Sequence, residues 1–134
     1  MAKVYLEIKK SDTTLTVRKK LRKIHPNLSC VFSSKFDPIP EDKDVYRISY
    51  KLGELFKKMK EGKVEISPER SVIDAWEEIH DKLNINIVFY HQFLSYSDDS
   101  PFGYIGQYFT DIQSVTFEKF NEQNKKHGEL YKLS

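Results

Sequence analysis

The sequence predicts a single compact α+β domain in which about four helices pack on a small, mainly antiparallel sheet. Three observations support this fold class. The 134 residues suffice to bury one hydrophobic core. Nine Phe, eight Tyr and one Trp supply bulky core side chains that disordered chains lack. The predicted elements follow in the order strand, helix, helix, helix, strand and helix, which fits an α+β architecture. We therefore treat residues 1–134 as one domain.

The N-terminal part predicts a strand and a helix, followed by a segment that could form a short strand. Residues 4–8 alternate between apolar and polar side chains, as in a half-buried strand. Capping side chains then precede a helical spacing of apolar residues that ends before Pro26, which predicts a helix over 13–24. Residues 30–36 could form a further short strand, which the following prolines would end.

Two helices are predicted in the middle of the chain. Residues 41–62 fit both a strand and a helix pattern, and helix is favoured because acidic residues begin the segment and lysines precede Gly62, a possible C-cap. The next helix is predicted to begin at Ser67 as N-cap, with Pro68 in the first position, and to end at Leu83.

The C-terminal part predicts a central strand, a loop and a last helix. Residues 84–96 are rich in β-branched and aromatic side chains, as in a strand at the heart of the core. Asp, Ser, Pro and Gly residues occur throughout 95–110, which predicts a loop with one short strand near 104–109. A helical pattern over 116–127 predicts the final helix, with Gly128 as its end signal.

Composition limits the compartment and the class of protein. Cys30 is the single cysteine, so intramolecular disulfides and cysteine zinc sites are excluded, and a reducing compartment is indicated. No apolar run approaches the roughly 18 residues that a membrane-spanning helix needs. Charges interrupt the apolar residues of the N-terminal segment, unlike a signal peptide. We expect a cytoplasmic protein without a membrane partner.

Charge is unevenly distributed along the chain. Residues 1–63 contain 16 Lys and Arg against 8 Asp and Glu, whereas residues 64–134 contain 6 against 12. The two parts therefore carry +8 and −6. Such a division fits two oppositely charged faces with different partners, or two halves that attract each other within the fold.

The residue types used in catalysis show no recognisable spacing. His80 ends the single Glu-x-x-His of the chain, whereas di-iron bundles use that unit twice. Cys30 could act as a nucleophile with His25 or His91 as its base, but a core position between apolar residues is favoured. The phosphate-loop, dinucleotide, hydrolase and zincin motifs are absent. We expect no catalytic residues, metal or cofactor, although an enzyme without a known motif stays open.

An acidic, tyrosine-containing surface is the leading candidate for binding another protein. The stretch 95–108 combines Tyr, Ser, Gly and Asp, a composition typical of binding loops, and its acids suit a basic partner. Its aromatic residues could instead pack under the loop and close the core. The candidate partner-binding residues are Tyr96, Asp98, Asp99, Phe102, Tyr104 and Tyr108, with Glu77, Glu78 and Asp81 of the preceding helix.

The hypothesis that follows is a non-catalytic, cytosolic inhibitor or immunity-type protein that neutralises a partner with a basic surface, such as a toxin. The resemblance to that functional class is generic and comes from size and surface character alone. The alternative is a small nucleic-acid-binding protein that uses the basic helix 13–24 through Arg18, Lys19, Arg22 and Lys23. A solvated helix face accounts for the same basic residues.

Overall fold

Two antiparallel sheets, each of two strands, pack with four helices in the computed structural model, which describes residues 3–26, 28–37, 42–46, 50–91 and 115–122. This confirms the predicted α+β class, with the sheet divided in two. The strands are β1 (Tyr5–Ile8), β2 (Leu28–Phe32), β3 (Gly62–Glu65) and β4 (Ile87–His91). The helices are α1 (Thr14–Ile24), α2 (Leu52–Leu55), α3 (Val72–Leu83) and α4 (117–122), with a short 3₁₀ helix at Asp42–Asp44.

One hydrophobic core joins the two sheets. β1 pairs with β3 so that Leu6 lies opposite Val64, and β2 pairs with β4 so that Cys30 lies opposite Phe89. These side chains belong to a single buried cluster that also includes the inner faces of α1, α3 and α4. Every residue of β2 is buried, which shows that both faces of this strand are covered.

The N-terminus of α1 has the capping predicted from its sequence. The Thr13 hydroxyl accepts from the Thr16 N–H at 3.3 Å, and the Thr16 hydroxyl accepts from the Thr13 N–H at 2.8 Å. This reciprocal arrangement satisfies two donors that helix geometry leaves without partners. The helix accordingly begins at Thr14, within the predicted range of 13–24.

Arg18 closes the outer edge of β2. The Ser33 N–H donates to the Asn86 carbonyl, and the alternation of an antiparallel ladder then directs the Cys30 carbonyl away from β4. The Arg18 guanidinium donates to that carbonyl through Nε at 3.2 Å and Nη2 at 3.1 Å. The side chain of α1 thus satisfies a backbone group that strand pairing leaves open.

Basic side chains also close the edges of the other sheet. The Ile66 N–H donates to the Val4 carbonyl, which directs the carbonyls of alternate residues in β1 and β3 outward. These carbonyls accept from helix and turn residues: Glu7 from Lys20, Lys63 from Lys82 and Glu65 from Arg70, each at 3.0 Å. Part of the basic composition therefore serves the fold.

The predicted helix over 41–62 is wrong. Long-range backbone hydrogen bonds form here in place of those of a continuous helix. Val45 forms a β-bridge with Ser33, and the Tyr46 N–H donates to the Phe32 carbonyl. Only the four residues of α2 are α-helical within the described part of this segment. Gly62 begins β3 and does not cap a helix.

The helix predicted with Ser67 as N-cap and Pro68 in the first position begins four residues later, at Val72. The Ser67 hydroxyl accepts from the Val4 N–H at 2.9 Å, so this side chain bonds β1 and not the helix. Pro68 and Glu69 form a turn, and α3 begins at Val72. The long strand predicted over 84–96 is β4 in its described part, whereas residues 92–114 lie outside the described residues.

Candidate functional site

Three aromatic rings are stacked on the surface of α3. The centroid of the Phe36 ring lies 4.1 Å from the centroid of the Trp76 ring, with an interplanar angle of 15°. It lies 3.7 Å from the centroid of the His80 ring, with an interplanar angle of 10°. The Trp76 and His80 rings would overlap each other if both lay this close to the same face of Phe36. They therefore lie on opposite faces of the Phe36 ring. Phe36 nevertheless remains 41% exposed, whereas Trp76 is buried. An aromatic side chain is thus held in a fixed position with part of its surface in solvent.

His80 is oriented by a hydrogen-bond chain. The Asn86 Nδ2 donates to the Ser33 carbonyl at 3.3 Å, which leaves Asn86 Oδ1 to accept from His80 Nδ1 at 2.9 Å. The loop after α3 therefore fixes the imidazole plane against which Phe36 stacks. The sequence Glu-x-x-His had marked His80 as a remote candidate for a metal ligand, but its contacts serve the aromatic stack.

Three exposed carboxylates run along the same helix. Asp74, Glu77 and Asp81 follow the spacing i, i+3, i+7, which places them on one side of α3. All three are exposed, and no hydrogen bond or ion pair joins them to another described residue. We name the three stacked rings and these three carboxylates the α3 surface. It combines a fixed apolar contact with unneutralised negative charge.

Glu78 differs from its predicted neighbours on α3. Its Oε1 lies 2.7 Å from Arg70 Nη2, and Arg70 also donates to the Glu65 carbonyl. Glu78 therefore links the middle of α3 to the edge of β3 through Arg70. The other two predicted acids of α3, Glu77 and Asp81, are the ones that remain exposed.

The remaining predicted partner-binding residues cannot be placed against this surface. Tyr96, Asp98, Asp99, Phe102, Tyr104 and Tyr108 lie outside the described residues. Sequence reasoning missed Phe36, because its contacts with α3 join residues about forty positions apart. Asp74 could have been found, since it continues the spacing of Glu77 and Asp81 by one turn toward the N-terminus.

Four of the five basic residues of α1 lie together around a pocket. Its described lining consists of Leu15, Arg18, Lys19, Arg22, Lys23 and Pro26, and its volume is about 340 Å³. We name this feature the α1 pocket. The structure thus unites all four residues of the nucleic-acid alternative, although Arg18 is only 1% exposed and its guanidinium binds the Cys30 carbonyl.

The buried Cys30 thiol is unsuited to nucleophilic attack. Burial raises the pKa of Cys30 to about 12, and the charge of Arg18 lowers it only in part. The group is therefore a protonated thiol at neutral pH, and thiolate is the nucleophilic form. This geometry agrees with the core position favoured from the sequence.

Within the described residues, no group of three or more His, Cys, Asp or Glu side chains has the arrangement of a metal site. The same part of the chain contains no helix long and apolar enough to cross a membrane. No protein-family model, curated protein or solved structure matches the chain. The α3 surface and the α1 pocket are the candidate functional sites of the described residues.

Proposed function

We propose that the protein is a non-catalytic binding module whose α3 surface docks on a basic patch of another protein. In this proposal it acts in the cytoplasm as an inhibitor or immunity-type protein, with a basic toxin as one suitable partner. The observation that supports it most is the exposed Phe36 ring, held by Trp76 and His80 of the helix that also carries the unpaired carboxylates. A preordered aromatic group loses little conformational entropy on binding.

The chemistry of the α3 surface selects the partner. Asp74, Glu77 and Asp81 would raise the rate of encounter with a positive surface and disfavour negative ones. Phe36 would enter an apolar depression of the partner, because aromatic anchors at the centre of an interface carry much of its binding energy. The residues of 95–108 named above are proposed as further partner-binding residues from their composition alone.

The proposal is tested by affinity capture from nuclease-treated lysate of the source cells, followed by mass spectrometry. We expect the wild-type chain to retain one basic protein in stoichiometric amount. The variant Glu77→Lys/Asp81→Lys should lose that protein, and Phe36→Ala should bind it about 30-fold more weakly, which corresponds to about 2 kcal/mol for an interface anchor.

A matched control separates a local effect from a change of net charge. Glu54→Lys/Glu69→Lys reverses two exposed carboxylates outside the α3 surface and should retain the partner. Circular dichroism and urea unfolding verify that each variant is folded. Equal capture by wild type and Glu77→Lys/Asp81→Lys would contradict the proposal, as would equal loss in both double variants.

A further inference from the structure

The outer edge of β1 offers backbone groups to a further strand. The Ile66 N–H donates to the Val4 carbonyl, so Val4 bonds toward β3. By the alternation of an antiparallel ladder, the N–H and C=O groups of Tyr5 and Glu7 point away from β3. Among these groups, only the Glu7 carbonyl accepts a bond from another described residue, Lys20. The Tyr5 N–H, the Tyr5 carbonyl and the Glu7 N–H are therefore open to pairing.

The side chains along this edge have an ordered charge. Lys3, Tyr5 and Glu7 alternate along the chain, which places all three on the exposed face of the sheet. Lys3 Nζ lies 3.7 Å from Glu65 Oε1. Glu7 Oε1 lies 3.4 Å from Lys9 Nζ. Exposed ion pairs of this kind contribute little to stability, so Lys3 and Glu7 can pair again across a new strand.

This charge order is complementary to itself in one antiparallel register. When Tyr5 lies opposite Tyr5 of a second copy, Lys3 lies opposite Glu7 at both ends. A register that places Tyr5 opposite Glu7 brings Lys3 opposite Lys9, where like charges repel. In the favoured register each opposite pair exchanges both N–H···O bonds. The Glu7 carbonyl has a second lone pair for this bond, so Lys20 does not have to leave it.

We propose that the protein forms a twofold-symmetric dimer in which the β1 edges of two copies pair antiparallel. The two strands β3 and β1 of each copy then form one continuous sheet. The exposed Tyr5 rings meet at the twofold axis, where a cross-strand aromatic pair adds to the backbone bonds. A short edge buries little area, so the association is reversible. The β1 edge shares no residue with the α3 surface, and the dimer therefore does not depend on the proposed function.

Two substitutions at position 5 test the backbone pairing. Tyr5→Pro and Tyr5→Val both remove the aromatic ring, but only proline removes the outward N–H. Proline is tolerated on an edge strand where the N–H points away from the neighbouring strand. In sedimentation equilibrium at micromolar concentrations we expect a monomer–dimer equilibrium for wild type. Tyr5→Pro should dimerise at least about tenfold more weakly than Tyr5→Val, because symmetry removes the bond from both copies.

A charge exchange tests the register. Lys3→Glu should weaken dimerisation about tenfold, because it places like charges opposite each other at both ends. Lys3→Glu/Glu7→Lys restores opposite charges and should return the affinity to within about threefold of wild type. Lys57→Glu makes the same charge change at an exposed position outside the edge and should alter the affinity less than about twofold.

Circular dichroism and urea unfolding verify that each variant is folded. The proposal is overturned if wild type is monomeric at every concentration, or if Tyr5→Pro and Tyr5→Val dimerise equally. It is also overturned if Lys3→Glu/Glu7→Lys dimerises as weakly as Lys3→Glu, or if Lys57→Glu weakens dimerisation as much as Lys3→Glu.

Discussion

Arg18 is the residue on which both the fold and the basic pocket depend. Its guanidinium satisfies the outward carbonyl of Cys30 and so links α1 to the edge of β2. Both groups are buried, so water cannot replace the guanidinium if it is removed. The sequence marked Arg18 as one of several surface cations, because a basic run does not show which member points inward.

Replacement of Arg18 tests this structural role. Arg18→Met retains the aliphatic bulk but leaves the Cys30 carbonyl without its donor. We expect the free energy of unfolding, measured with urea, to fall by about 1–3 kcal/mol. Lys19→Met, at the exposed neighbouring position, should change it by less than about 0.5 kcal/mol. Similar values for the two variants would show that the Arg18 bond contributes little to stability.

His25 makes stability depend on pH. Burial lowers its pKa below the ordinary value of 6.5, and the Nε2 bond to the Ile66 carbonyl opposes this only in part. The imidazole also stacks on the ring of Phe117 in α4, with 5.1 Å between the two ring centroids. The native state therefore holds His25 neutral at a pH where the unfolded chain binds a proton.

The sign of the effect follows from linkage. The stability that His25 contributes is fully present above pH 6.5 and is lost as the pH falls through the lower pKa of the folded state. Urea unfolding from about pH 7.5 to about pH 5 should show this decline. His25→Gln, which keeps an amide donor, should show a smaller decline. Parallel curves for the two proteins would assign the pH dependence to other groups.

At the scale of the element, Asn84 ends α3. Its backbone is in the left-handed region with φ of 58°, and its N–H donates to the His80 carbonyl at 3.0 Å. Asn tolerates this conformation better than other non-glycine residues. Its Nδ2 also donates to the Lys58 carbonyl at 3.2 Å, which joins the end of α3 to the turn after α2.

Substitution at position 84 separates the backbone effect from the side-chain bond. Asn84→Ala should lower the free energy of unfolding by about 1–2 kcal/mol, because alanine is strained at this φ. Asn84→Gly removes the strain and the exposed side-chain bond together, and should lie within about 0.5 kcal/mol of wild type. Equal losses for both variants would point to the bond with Lys58 as the main contribution.

The elements that could be predicted from sequence are those whose pattern is local. α1 has its caps and amphipathic spacing within a dozen residues, and β1 has simple alternation. The segment 41–62 could not be predicted in this way, since its conformation depends on pairing with β2 through Val45 and Tyr46. A helical periodicity in sequence does not reveal such non-local bonds.

The same distinction applies to the candidate sites. Spacing along one helix was enough to select Glu77 and Asp81, and four of the five basic residues of α1. Phe36 required the fold, because the stack is made between a loop and a helix that are distant in sequence. The bond between Glu78 and Arg70 and the burial of Arg18 could also be recognised only from the fold.

For the whole molecule, the uneven charge is divided between internal contacts and exposed surfaces. Internal contacts account for part of it, since Lys20, Lys82 and Arg70 close sheet edges and Arg70 pairs with Glu78. The cations of the α1 pocket and the carboxylates of the α3 surface account for another part. In our proposal the carboxylates of the α3 surface contact a partner of opposite charge.

Site-specific photocrosslinking from position 36 tests the central claim most directly. A benzophenone amino acid replaces Phe36 in the source cells, and Tyr5, another exposed aromatic residue, provides the control position. The account predicts an adduct with one basic protein from position 36, lost when Glu77→Lys/Asp81→Lys is added, and no such adduct from position 5. No adduct from position 36, or the same adduct from both positions, would contradict it.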